Sequence, residues 1–204
     1  MIRYLLKFVS KLEHAQMLVD GKLFMRPASY YRRLEMGQGD MGEGAVFPNA
    51  CIYKHSQCPI YCLYAVKQND IDLNGCVHIS NQCIEDFGCS DGYIVAVDFG
   101  KFKSFLKAVD THGYELDAGM VNYYQITCDD IEKLFVDQTP RNLFIKRPYF
   151  SYQHEFRVVI AHALSLKKDS IIYESSVNLS DAARIVKASD LQHNNKNYIF
   201  DLST

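Results

Sequence analysis

The run Gln153-His154-Glu155-Phe156-Arg157 concentrates the chemistry that this chain offers. The stretch Tyr152 to Ala161 reads as an extended strand, and alternate side chains of a strand share a face. Tyr152, His154, Phe156, Val158 and Ile160 then turn one way, mostly into a core. Gln153, Glu155 and Arg157 turn the other way together. Three polar groups on one strand face can line a cleft, with Glu155 set between an amide and a cation. The competing reading is an exposed face on which Glu155 and Arg157 pair with neighbours.

Other residue types suggest other chemistries. Asp40 and Glu43 lie in the glycine-rich stretch from Gly37 to Gly44, and with Glu155 they could hold a metal, as in a nuclease. The bland reading of that stretch is an acidic solvated loop. It lacks the G-x-x-x-x-G-K-S/T of a P-loop, and no strand-to-helix context supports a dinucleotide fingerprint. Lys146-Arg147-Pro148-Tyr149-Phe150-Ser151-Tyr152 interleaves two cations with three aromatics, a pattern that suits nucleobases and equally suits the buried start of a strand. His14 reads as a helix-surface residue and His154 as a core histidine. His112 and His162 have no spacing that pairs them with a cysteine nucleophile. The seven cysteines are odd in number, which argues against a disulfide framework. Six fall between Cys51 and Cys89, yet no C-x2-C knuckle appears, and His55 and His78 do not form a zinc-binding pair. They read as reduced thiols, several acting as small core hydrophobes.

The elements that must position these groups follow from pattern. Tyr4 to Val9 is a strand, and Ser10 with Glu13 forms a capping box for a helix carrying Leu12, Ala15, Leu18 and Val19 on one stripe. Gly21 ends that helix. Lys22 to Arg26 is a strand, and Pro27 opens a short helix from Ala28 to Glu35. Val46 to Tyr53 and Ile60 to Val66 are strands; residues 67 to 92 are loops with a short helix over Asn81 to Phe87. Tyr93 to Asp98 is a buried strand, followed by a helix from Lys101 to Val109. Val121 to Ile126 is a strand, Asp129 to Val136 a helix, and Thr139 to Asn142 a turn. Ile171 to Glu174 and Ala183 to Val186 complete the strands. Strands outnumber long helices and the two are interspersed. This implies one α+β domain over residues 1–204, with a mixed, largely antiparallel sheet flanked by short helices.

The chain has 204 residues, a formal net charge of −2 and a pI near 6.4. That balance argues against a DNA-binding module driven by charge and against an acidic DNA mimic. The longest apolar run, Ile60 to Val66, is far short of the roughly 20 residues of a membrane span. The opening stretch MIRYLLKFVSKLEHAQ becomes charged too soon for a signal peptide. The expectation is a cytoplasmic protein without a membrane partner.

Several segments together resemble a widespread family of bacterial and phage proteins catalogued as a domain of unknown function. The segments are Gly21-Lys22-Leu23-Phe24-Met25-Arg26-Pro27-Ala28-Ser29-Tyr30, then Asp40 with Glu43-Gly44, then Gly92 to Phe99, then Phe144 to Ile160. Members of that family often read Glu-x-Glu where this chain reads Gln153-His154-Glu155. The late signature also resembles the catalytic strand of ADP-ribosyltransferases, in which Glu-x-Glu or Gln-x-Glu closes the NAD site. Cleaving the nicotinamide glycosidic bond builds a cationic ribose, which a carboxylate stabilises. The resemblance implies that Glu155 is the catalytic carboxylate, that Gln153 orients the acceptor, and that NAD is the substrate. It assigns the pyrophosphate to an early basic residue, Arg3, Lys7 or Arg26, and leaves Ser29, Tyr30 and Arg157 as further cofactor contacts. Tyr30 and Tyr31 could stack on nicotinamide, although two tyrosines at a helix start also serve packing.

Three readings of function follow. The first is an NAD-using ADP-ribosyltransferase-like enzyme that modifies a protein or nucleic acid or hydrolyses NAD, set by the resemblance in bacteria–phage conflict. The second is a non-catalytic protein of a phage or defence system that captures a nucleotide or a partner protein. The third is a metal-dependent nuclease built on Asp40, Glu43 and Glu155.

Overall fold

A computed structural model describes residues 1–31, 45–47, 50–52, 55–123, 140–162, 164 and 168–202, with backbone alone at 45–47, 50–52 and 141. In chain order the elements are β1 (Ile2–Val9), α1 (Leu12–Val19), β2 (Lys22–Pro27), α2 (Ala28–Tyr31), β3 (Ala45–Phe47), β4 (Ala50–Ile52), β5 (Pro59–Lys67), β6 (Cys76–Ser80), α3 (Asn81–Asp86), β7 (Tyr93–Asp98) and α4 (Phe99–Lys107). They continue with β8 (Leu116–Met120), β9 (Asn122–Tyr123), β10 (Ile145–Lys146), β11 (Glu155–Ile160), β12 (Ile171–Glu174), β13 (Ala183–Lys187), β14 (Gln192–His193) and β15 (Asn197–Asp201). Single 3-10 turns cover Pro140–Phe144 and Pro148–Gln153, among others. The fold is α+β: strands dominate, nearly all pair antiparallel, and the helices are short. Asp40, Glu43, Cys128 and the expected helix Asp129–Val136 lie outside the described residues.

The chain divides into two compact units. The first comprises Met1–Leu23, Leu63–Asp110 and Glu174–Thr204, and the second Phe24–Cys62 and Thr111–Tyr173. Strands β2 and β5 contribute residues to both.

In the first unit β1 is central. It pairs antiparallel with β5 (Leu5↔Ala65, Leu6↔Tyr64) and with β7 (Leu5↔Val97, Leu6↔Ala96), and β13 adds to β7 (Ile185↔Val95). Leu5 and Leu6 point to opposite faces and both are fully buried, so this sheet is covered on both sides. The β-branched run of β7 suits that environment. Helix α4 buries Phe102, Phe105 and Leu106, which recur at helical spacing. Asp98 accepts a hydrogen bond from the Lys101 N–H at 2.9 Å, and this cap starts the helix at Phe99 rather than at the expected Lys101.

Two expectations need correction in this unit. Lys11, not Ser10, occupies the N-cap of α1 and makes no side-chain cap bond, because the helix begins one residue later than the capping box requires. By composition residues 67–92 read as loops around one helix, yet Cys76–Ser80 is a strand paired antiparallel with β15 (Ile199↔His78). Val77 and Ile79 are buried while His78 is exposed, the alternation of a strand covered on one face. Gly21 does end α1, at φ +90°, a conformation that suits glycine.

The second unit joins β2 to β5 (Arg26↔Ile60, Pro27↔Pro59), β5 to β11, and β11 to β8 (Phe156↔Met120, Arg157↔Gly119). Ala28, Cys58, Ile60, Leu143, Phe144 and Val159 form its core, with Tyr31 and Cys62 packed against it. The expected strand Val46 to Tyr53 resolves into β3 and β4, which pair with each other (Ala45↔Ile52). Strands β9 and β10 run parallel (Lys146↔Tyr123) and make the fold mixed. No helix of the described residues is long and apolar enough to cross a membrane.

Candidate functional site

The Gln-x-Glu segment does not lie on one regular strand. Pro148 opens a 3-10 turn that runs to Gln153, with proline in its first turn, where a missing N–H is tolerated. His154 then takes a left-handed conformation (φ 42°, ψ 43°) and ends the turn. Strand β11 therefore begins at Glu155, not at Tyr152. The Glu155 N–H donates to the Tyr123 hydroxyl at 2.8 Å, and the Glu155 carbonyl accepts from the Val121 N–H at 2.9 Å. These bonds fix the backbone at the position where the carboxylate enters the interior.

The expected cleft-lining face is in fact interior. Glu155 is 3% exposed, Gln153 and Arg157 1%, and Lys146 6%. Arg157 reaches back along its own strand: its Nε donates to Glu155 Oε1 at 2.7 Å and its Nη2 lies 2.6 Å from the same oxygen. Arg157 Nη1 donates to the Leu143 carbonyl. The other oxygen, Oε2, lies 3.2 Å from Lys146 Nζ, which also donates to Gln153 Oε1 at 2.7 Å. The Cys62 thiol donates to Glu155 as well. Burial alone would push the Glu155 carboxyl up, but Arg157, Lys146 and these hydrogen bonds outweigh it and hold the group below the usual carboxylate range. Glu155 is thus a buried, ionised carboxylate clamped by two cations.

The remaining expected residues are placed as follows. Arg26 lies directly opposite Ile60, so the two share a sheet face; Cys62 is two residues on and shares it too. Because the Cys62 thiol reaches Glu155, Arg26, Cys62, Glu155 and Arg157 belong to one face of this sheet. The Arg26 guanidinium stands over the Tyr30 ring at 4.0 Å and near Phe24 at 5.3 Å. Both Arg26 and Tyr30 are half-buried, and among the described residues no carboxylate pairs with Arg26. The Ser29 hydroxyl accepts from Gln57 Nε2 at 2.8 Å and so ties the start of α2 to the turn before β5. Tyr31 meets Tyr30 edge-on at 5.5 Å and packs on the core. Lys7 belongs to the first unit, opposite Val95 on β7.

Lys146, Cys62 and Tyr123 join this cluster without any signal in the local sequence. Lys146 is fixed by the parallel pairing of β9 and β10, and no local spacing signals that. A cysteine–histidine pair lies near Cys62 in sequence: Cys58 Sγ is 3.6 Å from His55 Nδ1. Burial pushes the Cys58 thiol up to about 11, partly offset by a backbone hydrogen bond from His162, so it is a neutral thiol and no activated nucleophile. His162 stacks on Tyr114 at 4.0 Å, and His112 is left-handed (φ 53°) with its ring 5.9 Å from Tyr173. Cys58, Cys62, Cys76, Cys83 and Cys89 are not in disulfides, and Cys58, Cys83 and Cys89 are buried. Among the described residues no three His, Cys, Asp or Glu groups are placed to hold a metal. Two of the expected metal ligands, Asp40 and Glu43, lie outside those residues.

No family model, no curated protein and no solved structure matches this chain.

Proposed function

We propose that this chain binds a nucleotide of the NAD class on its second unit, and that Glu155 organises the site rather than reacting. The braced Arg26 guanidinium carries the binding part of this reading, and the state of Glu155 sets its role. A carboxylate stabilises a ribosyl cation only if its own charge is not already answered. Here Arg157 and Lys146 lie against the two oxygens. Two charges about 4 Å apart interact by roughly 4 kcal/mol at an effective dielectric near 20. The repulsion of each cation for an incoming ribosyl cation is thus of the same order as the attraction from Glu155. The geometry favours a structural anchor over a catalyst.

Arg26 supplies the ligand-facing part of this reading. It stands on the same sheet face as Glu155, braced over Tyr30, and among the described residues it has no carboxylate partner. A braced guanidinium suits a phosphate group, which it can engage through two parallel N–H bonds.

The catalytic reading stands second, because Gln153 and Glu155 meet at one ammonium. Lys146 Nζ is 2.7 Å from Gln153 Oε1 and 3.2 Å from Glu155 Oε2. A pyrophosphate that drew Lys146 away would free Oε2 beside the amide, and a protein or nucleic-acid acceptor would then complete the transfer.

Calorimetric titration with NAD, together with a nicotinamide-release assay with and without bacterial lysate, decides between them. The expected result is NAD binding, weakened about tenfold in Arg26→Gln, with no nicotinamide released. Release by the parent chain that disappears in a Glu155→Gln sample shown by circular dichroism to be folded at the assay temperature would replace the binding reading with the catalytic one. Neither binding nor release would sink both.

A further inference from the structure

We propose that Tyr149 is the platform on which the adenine ring of the bound nucleotide stacks; this rests on the nucleotide-binding reading and names the part of the ligand that is read. Tyr149 is 72% exposed, more than any other tyrosine or phenylalanine among the described residues. It sits in the 3-10 turn Pro148–Gln153, the turn whose last residue holds Lys146. Two rings brace it edge-on: Phe150 at 5.2 Å and Tyr152 at 6.4 Å. Phe150 is itself buried, with Lys146 Nζ 4.8 Å and the Arg147 guanidinium 5.4 Å from its ring centre. Tyr152 in turn receives a hydrogen bond from Gln153 Nε2 at 3.5 Å. The Tyr149 ring is thus held in place, yet most of it faces solvent.

Such a ring suits a flat heteroaromatic partner, since stacking needs a fixed face and loses little freedom on binding. Arg147, exposed and two residues before Tyr149, holds its guanidinium 5.4 Å from the ring centre of Phe150, the ring that braces Tyr149, and so offers positive charge to the nucleotide's phosphate. A single base fits better than a nucleic-acid strand. Strand binders present successive exposed aromatics along a basic groove. Here Phe150 is buried, Tyr152 is half-buried, and the chain carries a net charge of −2.

The test uses the fluorescent adenine analogue etheno-AMP, titrated into the full chain and into Tyr149→Ala and Tyr149→Phe. NAD binding is measured by calorimetry on the same samples. Tyr149 is exposed, so neither variant should disturb folding, which circular dichroism checks. Stacking predicts that Tyr149→Ala binds etheno-AMP about tenfold more weakly, and that Tyr149→Phe binds it as the unaltered chain does. Equal affinity in Tyr149→Ala would overturn the platform and leave nucleotide binding standing. Binding of NAD without binding of etheno-AMP would also overturn it, because adenine would not be the part read. An oligothymidine that binds far more tightly than etheno-AMP, and through Tyr149, would replace it with a strand-binding surface. Absence of both NAD and etheno-AMP binding would remove the nucleotide reading together with the platform.

Discussion

Arg157 binds Glu155 from two positions further along the same strand, and both its Nε (2.7 Å) and its Nη2 (2.6 Å) go to one oxygen, Oε1. The second oxygen is thereby left to Lys146, and the carboxylate joins two cations that the sequence places eleven residues apart. Each of these ions left water at a cost of several kcal/mol, and only the mutual geometry offsets it. Removing one member therefore strands the others. Glu155→Gln should destabilise the fold by about 3–5 kcal/mol in urea unfolding. Combining it with Lys146→Met should cost less than the sum of the two single changes, by more than about 0.5 kcal/mol. A strictly additive pair, or a Glu155→Gln variant as stable as the parent, would mean that the cluster is not coupled.

The pH dependence follows with a definite sign. An unfolded glutamate titrates near pH 4.3, and Arg157 and Lys146 hold folded Glu155 below that. The unfolded state therefore binds the proton first as pH falls. The stabilisation is fully present above about pH 5 and is lost as pH drops toward the folded value. The stability gap between the parent chain and Glu155→Gln should be widest near pH 7 and should narrow below about pH 5. Urea midpoints at pH 7, 5 and 4 measure it. A gap that widens on acidification would reverse the sign and exclude an ionised folded Glu155.

The parts of this fold legible in the sequence are those set by local pattern. The β-branched run of β7 and the apolar run of β5 can only be buried strands, and Gly21 can take the positive φ that closes α1. Pairings between distant segments were not legible. Strand β6 looks like a polar loop because only Val77 and Ile79 are buried, and its partner β15 lies more than a hundred residues away. The site divides in the same way. The spacing of Gln153, Glu155 and Arg157 groups them on one strand face, and a strand period places Gln153 on β11. Pro148 and the left-handed His154 put it on a turn instead, from which it still reaches Lys146. The burial of the polar trio could not be read from spacing, since the same alternation serves an open cleft and a sealed one.

The buried cysteines offer a chemical check on the packing. Burial pushes the thiols of Cys58 and Cys89 up to about 11 and that of Cys83 higher still. At pH 8 these groups are neutral, and only the thiolate attacks an alkylating reagent. Brief iodoacetamide treatment of the native chain, read peptide by peptide in a mass spectrometer, should leave Cys58, Cys83 and Cys89 unmodified and mark them only after urea is added. Native alkylation of Cys58 at the rate of an unfolded thiol would show that its pairing with His55 is open and reactive.

Gly92 tests the close approach at the end of β1. A Cβ added there would sit 2.3 Å from the Val9 carbonyl oxygen, 3.1 Å from the Cys89 sulfur and 3.2 Å from the Ser10 Cα. The nearest of these atoms is backbone, and Val9 is held in place by its pairing with Tyr93 on β7. The Gly92 carbonyl is also committed, accepting from the Ala188 N–H at 2.9 Å. No side chain can swing aside to relieve the contact, so the strands themselves must separate. Gly92→Ala should therefore cost about 1–3 kcal/mol or more in urea unfolding, at the upper end of what overpacking does. Gly113→Ala supplies the control for steric effects, since nothing lies within 4 Å of its added Cβ. Its φ of +84° should make that change destabilising through the backbone alone, by an amount near the 1 kcal/mol typical of a lost left-handed glycine. If Gly92→Ala proves milder than Gly113→Ala, the approach of Val9 to Gly92 is looser than the structure has it.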